Sequence, residues 1–71
     1  MKLFDLMHDT TVQGNIRVSV WADGEETDVL TIDFCDDLNC AEIPDEWEDR
    51  DVLYIFCSGD GYLHIELSGE D

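Results

Sequence analysis

Residues 51–67, DVLYIFCSGDGYLHIEL, constrain the fold most strongly, because two runs of β-forming residues flank a turn sequence. The two glycines of SGDG can adopt positive φ without steric cost, so we predict a β-hairpin here. Pairing Cys57 with Tyr62 would place six side chains on one face of this hairpin. They are Val52, Tyr54, Phe56, Leu63, Ile65 and Leu67.

The other face of the same hairpin is also largely apolar. It would carry Leu53, Ile55, Cys57, Tyr62, His64 and Glu66. A segment that is apolar on both faces is either a central strand covered on both sides or part of a surface for self-association, and both interpretations stay open. In the second case, the possible dimer face consists of Leu53, Ile55, Cys57 and Tyr62.

A second hairpin is predicted from NIRVSVW at residues 15–21 and VLTIDF at residues 29–34, joined by the turn-forming segment ADGEETD. Both runs alternate apolar and polar side chains, which is typical of half-buried strands. Pairing Val20 with Leu30 would place Ile16 opposite Phe34 on an apolar face. The same register leaves Trp21 on the polar face.

Two short helices complete the predicted elements. Apolar residues at helical spacing in KLFDLMHDTT predict an N-terminal helix, and Pro44 suits the first turn of a helix that contains Trp47. Glu46 and Arg50 have the i,i+4 spacing of a helical ion pair. We therefore predict an α+β fold with the order α-β-β-α-β-β, two antiparallel hairpins, and a single small domain over residues 1–71.

The segments LFDLM, NIRVSVWADGEE, IPDEWEDRDVLYIF and GYLHIEL cover nearly the whole chain. In these segments the chain resembles a set of small, uncharacterised proteins encoded in bacterial phages and conjugative elements. The chain departs from that set in its heavier acidity and in the inserted CDDLNCAE. The resemblance implies the fold and an origin in a mobile element, but no activity and no active-site residues.

The charge limits the partners. With 19 acidic residues against 3 Lys and Arg, the 71-residue chain has a net charge of −16, while 44% of its residues are hydrophobic. That apolar content favours a folded domain over an acidic tail, and the charge disfavours nucleic acid and anionic membranes as direct ligands. We expect a cytoplasmic protein with free thiols, because no segment is apolar over a membrane-spanning length and the number of cysteines is odd.

Metal binding and catalysis have little support in the sequence. Cys35, Cys40, Cys57 and His64 offer the donor atoms of a zinc site, but zinc sites usually contain closely spaced cysteine pairs. Neither DGEETD nor DFCDDLN has the ligand spacing of an EF-hand. Cys57 and His64 alone lack an orienting acid and an oxyanion hole. We therefore predict no metal, no cofactor and no enzymatic activity.

The predicted function is protein binding through an acidic surface that engages a basic protein, in the manner of a DNA mimic. The candidate residues are an aromatic anchor and two acidic clusters: Trp21; Asp23, Glu25, Glu26 and Asp28; and Asp45, Glu48 and Asp49. A charge density comparable to that of duplex DNA motivates this hypothesis. The alternative is a structural or self-assembling protein that forms a homodimer through the apolar second face of the C-terminal hairpin.

Overall fold

The computed structural model describes residues 1–69, which form an α+β fold, as the sequence predicts. The elements in chain order are α1 (Leu3–Asp9), β1 (Gly14–Ala22), β2 (Glu25–Cys35), a short 3-10 helix (Leu38–Cys40), α2 (Asp45–Glu48), β3 (Val52–Cys57) and β4 (Leu63–Ser68). The two hairpins join into one four-stranded sheet with the order β2-β1-β4-β3. In this order β2 and β3 are the edge strands. The two central strands, β1 and β4, are parallel to each other.

The helices cover one face of this sheet, called here the helical face. Inward side chains of β1 and β4 pack against the helices in one core, because strand residues alternate between faces. The buried apolar residues are Leu3, Met7, Ile16, Val18, Val20, Cys35, Leu38, Trp47, Ile65 and Leu67. Within residues 1–69 no helix packs on the opposite face, called here the open face.

The turn between β1 and β2 is shorter than the sequence analysis predicts. Asp23 and Gly24 both have positive φ, 55° and 76°, as in the two-residue type I′ turn that favours Asp-Gly. β2 therefore begins at Glu25, and Val18 rather than Val20 lies opposite Leu30. The predicted register is wrong by two residues, but a shift of two keeps every side chain on its face, so Trp21 does lie on the open face.

Phe34 does not join the apolar face opposite Ile16, whose partner is Ile32. The strand is irregular at this point, Phe34 has a φ of 53°, and its N–H donates to Asn15 Oδ1 at 2.8 Å. Phe34 is consequently 87% exposed. A left-handed backbone is unfavourable for a bulky residue, and the hydrogen bond that Phe34 donates to Asn15 helps to hold this conformation.

The register of the C-terminal hairpin is wrong by one residue, so most β3 side chains lie on the opposite face, relative to β4, from the one predicted. Cys57 pairs with Leu63 rather than with Tyr62, and Phe56 pairs with His64. Tyr54 and Phe56 therefore lie on the open face, whereas Ile55 and Cys57 lie on the helical face. The four residues of the predicted dimer face do not share one face, and Cys57 and His64 lie on opposite sides of the sheet.

The second helix is shorter than expected and ends at Glu48. Pro44 is the N-cap residue and not the first residue of the helix, and Trp47 packs into the core. Arg50 lies beyond its end, and its guanidinium donates to the Ser68 carbonyl at 3.1 Å. The predicted ion pair between Glu46 and Arg50 is therefore not formed.

Candidate functional site

The open face carries a groove of about 270 Å³ where β1, β4 and β3 lie side by side. The parallel pairing of β1 with β4 places Trp21 opposite Ser68, and the antiparallel pairing of β4 with β3 places Glu66 opposite Tyr54. A bulge in β3 directs Leu53 to the same groove. The lining residues are Trp21, Asp23, Gly24, Leu53, Tyr54, Glu66 and Ser68.

Trp21 is a half-buried residue that forms one wall of the groove. Its Nε1–H donates to Ser19 Oγ at 2.9 Å, and Ser19 itself is fully buried. This hydrogen bond satisfies the polar group of the indole and restrains the ring. Trp21 therefore offers an apolar and aromatic surface to a ligand.

Glu66 supplies a carboxylate between the aromatic side chains of the groove. It is half-buried, with Ser19 as its neighbour on β1 and Tyr54 on β3. Among residues 1–69 the carboxylate has no hydrogen-bond or ion-pair partner. A half-buried carboxylate beside aromatic rings is a favourable site for a cationic group.

None of the chain's own Lys and Arg side chains lines the groove, and each is bound to another group of the fold. Lys2 Nζ donates to the Asp49 carbonyl at 2.8 Å, Arg17 contacts Glu26 Oε1 at 2.6 Å, and Arg50 binds the Ser68 carbonyl. These are all 3 Lys and Arg residues of the chain. A positive charge in the groove must therefore come from another molecule.

The predicted binding residues do not form one surface. Of the eight, only Trp21 and Asp23 line the groove. Glu26 lies opposite Trp21 and is bound to Arg17, whereas Glu25 and Asp28 pair with Ala22 and Val20 and so lie toward the helical face.

The second acidic cluster, Asp45, Glu48 and Asp49, belongs to α2 and its C-cap. It lies in the helical layer, on the other side of the sheet from Trp21. Glu48 there is 3.7 Å from His8 Nε2.

Four residues that line the groove from β3 and β4 were not predicted to share a binding surface with Trp21: Leu53, Tyr54, Glu66 and Ser68. Their part in it depends on β4 pairing with β1 and on the bulge in β3. The alternation of each strand is a local signal and carries no information about which hairpin strands become neighbours. The local signals close to the groove are the alternation of β1, which places Trp21 on the open face, and the Asp-Gly turn that follows it.

Ser58, Asp60 and His64 form a second polar cluster at the turn between β3 and β4. The Ser58 hydroxyl donates to Asp60 Oδ1 at 2.7 Å, and His64 Nε2 lies 2.9 Å from both Asp60 Oδ2 and Ser58 Oγ. Since the carboxylate only accepts, Nε2 carries a proton and is no base for the serine. The cluster closes the turn and does not activate a nucleophile.

The Asp60 carboxylate is the centre of this turn. Its pKa is lowered from 3.8 to about 2, chiefly by the Ser58 hydroxyl and next by the Tyr62 backbone N–H, which donates at 2.9 Å. His64 stacks on Phe56 with a ring-centroid distance of 5.0 Å. Tyr62 donates to Asp33 Oδ1 at 2.7 Å, which raises the pKa of the phenol.

The three cysteines are free thiols at separate places in the fold. Cys35 is buried at the end of β2, whereas Cys40 and Cys57 are exposed. In the described part of the chain, no group of three or more His, Cys, Asp or Glu side chains is arranged to hold a metal ion.

No family model, no curated protein and no solved structure matches this chain. The resemblance to proteins of phages and conjugative elements therefore stays a prediction. None of the helices in residues 1–69 has the length and apolar character needed to cross a membrane.

Proposed function

We propose that this chain is a non-enzymatic protein-binding module that engages a basic segment of another protein. The observation that carries the proposal is the half-buried Glu66 carboxylate in a groove with Trp21 and Tyr54. A Lys or Arg side chain in this groove would pair with Glu66 and stack on an aromatic ring. The stacking alone contributes about 0.5–2 kcal/mol, depending on how far the cation is desolvated.

The overall charge supports a basic partner. The net charge of −16 attracts cationic surfaces at long range and accelerates their association. The molecule measures 31 × 27 × 18 Å, and a duplex of similar length carries about 18 phosphates. A nucleic-acid-binding protein is therefore the partner class that this charge suits. A cytoplasmic host protein fits the mobile-element origin that the resemblance implies.

The groove can be tested with an Arg-rich dodecapeptide as the probe at low salt. We expect a saturable shift of the Trp21 indole N–H signal in NMR titrations, and added salt should weaken the binding. Trp47 is buried in the core, so its indole signal is an internal control. Glu66→Gln should raise the Kd roughly tenfold, since it removes the charge that faces the cation.

Glu25→Gln is the matched control, because it removes the same charge from an exposed residue outside the groove. Equal weakening by the two substitutions, or no response of Trp21, would contradict the proposal. Columns of the wild type and both variants then identify the natural partner in a lysate. It is the basic protein that the wild type and Glu25→Gln retain and that Glu66→Gln loses.

A further inference from the structure

The two edges of the sheet differ sharply in charge. The edge strand β2 carries Glu25, Glu26, Asp28 and Asp33, and charged side chains of this kind protect an edge against pairing with another chain. The edge strand β3, VLYIFC, carries no charged residue. Leu53 is 47% exposed, Tyr54 65%, Ile55 44% and Phe56 41%, and Cys57 is exposed as well. β3 is therefore an apolar and unprotected edge.

The N-terminal residues cover only the beginning of this edge. The Val52 N–H donates to the Met1 carbonyl at 2.7 Å. The backbone of Lys2 forms an isolated antiparallel β-bridge with Asp51. From Leu53 to Cys57 no residue of the described range 1–69 pairs with the outer side of β3. An edge strand directs the N–H and C=O groups of alternate residues outward, so this segment can accept one more strand.

We propose that β3 pairs antiparallel with β3 of a second copy of this chain, so that two sheets join into one of eight strands. The charge favours this edge as the contact between copies. Each copy has a net charge of −16, and contact through β2 would bring carboxylates of the two copies together. Contact through β3 places uncharged residues against uncharged residues, which keeps the electrostatic cost of association low.

The sequence of β3 is complementary to itself. A two-fold axis through Ile55, perpendicular to the sheet, places Ile55 opposite its own copy and Tyr54 opposite Phe56 of the second copy. The aromatic pair occurs twice, always on the open face, and aromatic cross-strand pairs stabilise sheets. Tyr62 belongs to the dimer face expected from the sequence, but it lies outside β3 and takes no part in this strand pairing. Its hydroxyl donates to Asp33 within the same chain.

Such a dimer carries both grooves on the same side of the joined sheet, because the axis preserves the open face. Dimerisation does not depend on the proposed function, but it would make the binding module bivalent. A basic partner with two suitable segments would then bind by avidity. The contact is short, so we expect a Kd in the micromolar range.

Sedimentation equilibrium over micromolar concentrations tests the dimer. We expect a monomer–dimer equilibrium that strengthens with salt, because salt screens the repulsion between two acidic copies. Ile55→Lys should raise the dimer Kd at least about tenfold, since a lysine on an edge strand opposes pairing. Val29→Lys is the matched control: Val29 is 48% exposed on the other edge strand, so the same change of charge should not weaken the dimer.

Hydrogen exchange separates pairing from loss of structure. The β3 amides of the wild type should become more protected as the concentration rises, while Ile55→Lys should retain the wild-type protection of β1 and β4 without this dependence. A monomer at all concentrations, or equal effects of Ile55→Lys and Val29→Lys, would overturn the dimer. Salt weakens binding of the basic peptide but strengthens dimerisation, so the two are measured separately. A negative result for the dimer would not contradict the proposed peptide binding, and the reverse also holds.

Discussion

Gly69 follows β4 directly and lies close to the backbone of β1 at Trp21. Its N–H donates to the Trp21 carbonyl at 2.6 Å, and a Cβ at this position would lie 2.9 Å from the same oxygen. It would also lie 3.1 Å from both Ala22 Cβ and Val20 Cγ1. The absent side chain of Gly69 thus allows the end of β4 to lie against the end of β1.

We expect Gly69→Ala to lower the free energy of unfolding by about 1–3 kcal/mol, because the added methyl group meets backbone that cannot move freely. Denaturant unfolding measures this change. Gly59→Ala is the control, since a Cβ there has no atom within 4 Å and should leave stability nearly unchanged. Equal stability of the two variants would contradict this prediction and would show that the backbone at Trp21 shifts to accommodate the methyl group at little cost in free energy.

At the scale of single residues, the sequence predicts those features that depend on residues adjacent in the chain. Trp21 is correctly assigned to the open face, because alternation within one strand decides it. Glu66 and Tyr54 are not recognised as its neighbours, because strand order decides that contact. The positive φ of Phe34 is equally inaccessible, since no turn residue marks it.

At the scale of elements, the predicted helices and hairpins all exist, whereas both registers are wrong. The first error arises from a two-residue turn where a longer one was expected, followed by an irregularity after Val20. The second arises at the turn between β3 and β4, where Asp60 accepts hydrogen bonds from Ser58 and Tyr62. These side-chain bonds accompany the pairing of Cys57 with Leu63, and the SGDG pattern does not reveal them.

The same turn should be sensitive to acid. The pKa of Asp60 is lowered to about 2, so its contribution to stability is complete above its usual pKa of 3.8 and is lost as the pH falls through about 2. Asp60→Asn lacks this ionisation. We therefore expect the difference in unfolding free energy between wild type and Asp60→Asn to shrink as the pH falls from about 4 to about 2.

Denaturant unfolding at several pH values measures this difference. Asp36→Asn removes the same charge from an exposed residue beyond β2 and is the control for the overall charge. If the two variants showed the same dependence on pH, the acid sensitivity would belong to the net charge and not to the turn.

At the scale of the whole molecule, the excess of carboxylates opposes the fold. The net charge of −16 is confined within a radius of gyration of 11.2 Å, and the Lys and Arg side chains are already bound within the fold. Like charges repel more strongly in the compact state than in the unfolded chain. Stability should therefore depend on ionic strength.

We expect the Tm to rise as NaCl increases from about 0.01 M to about 0.15 M. The Debye length then falls from about 30 Å, close to the 31 Å length of the molecule, to about 8 Å, so most of the repulsion across the molecule is screened. Dimerisation through β3 would also raise the Tm with salt. The Tm should therefore be measured on the Ile55→Lys variant at low protein concentration, where the protein is monomeric. Choline chloride should act as NaCl does if the effect is screening. A Tm that rises with sodium but not with choline would indicate bound cations instead. A Tm that changes with neither salt would mean that repulsion between the carboxylates does not destabilise the fold.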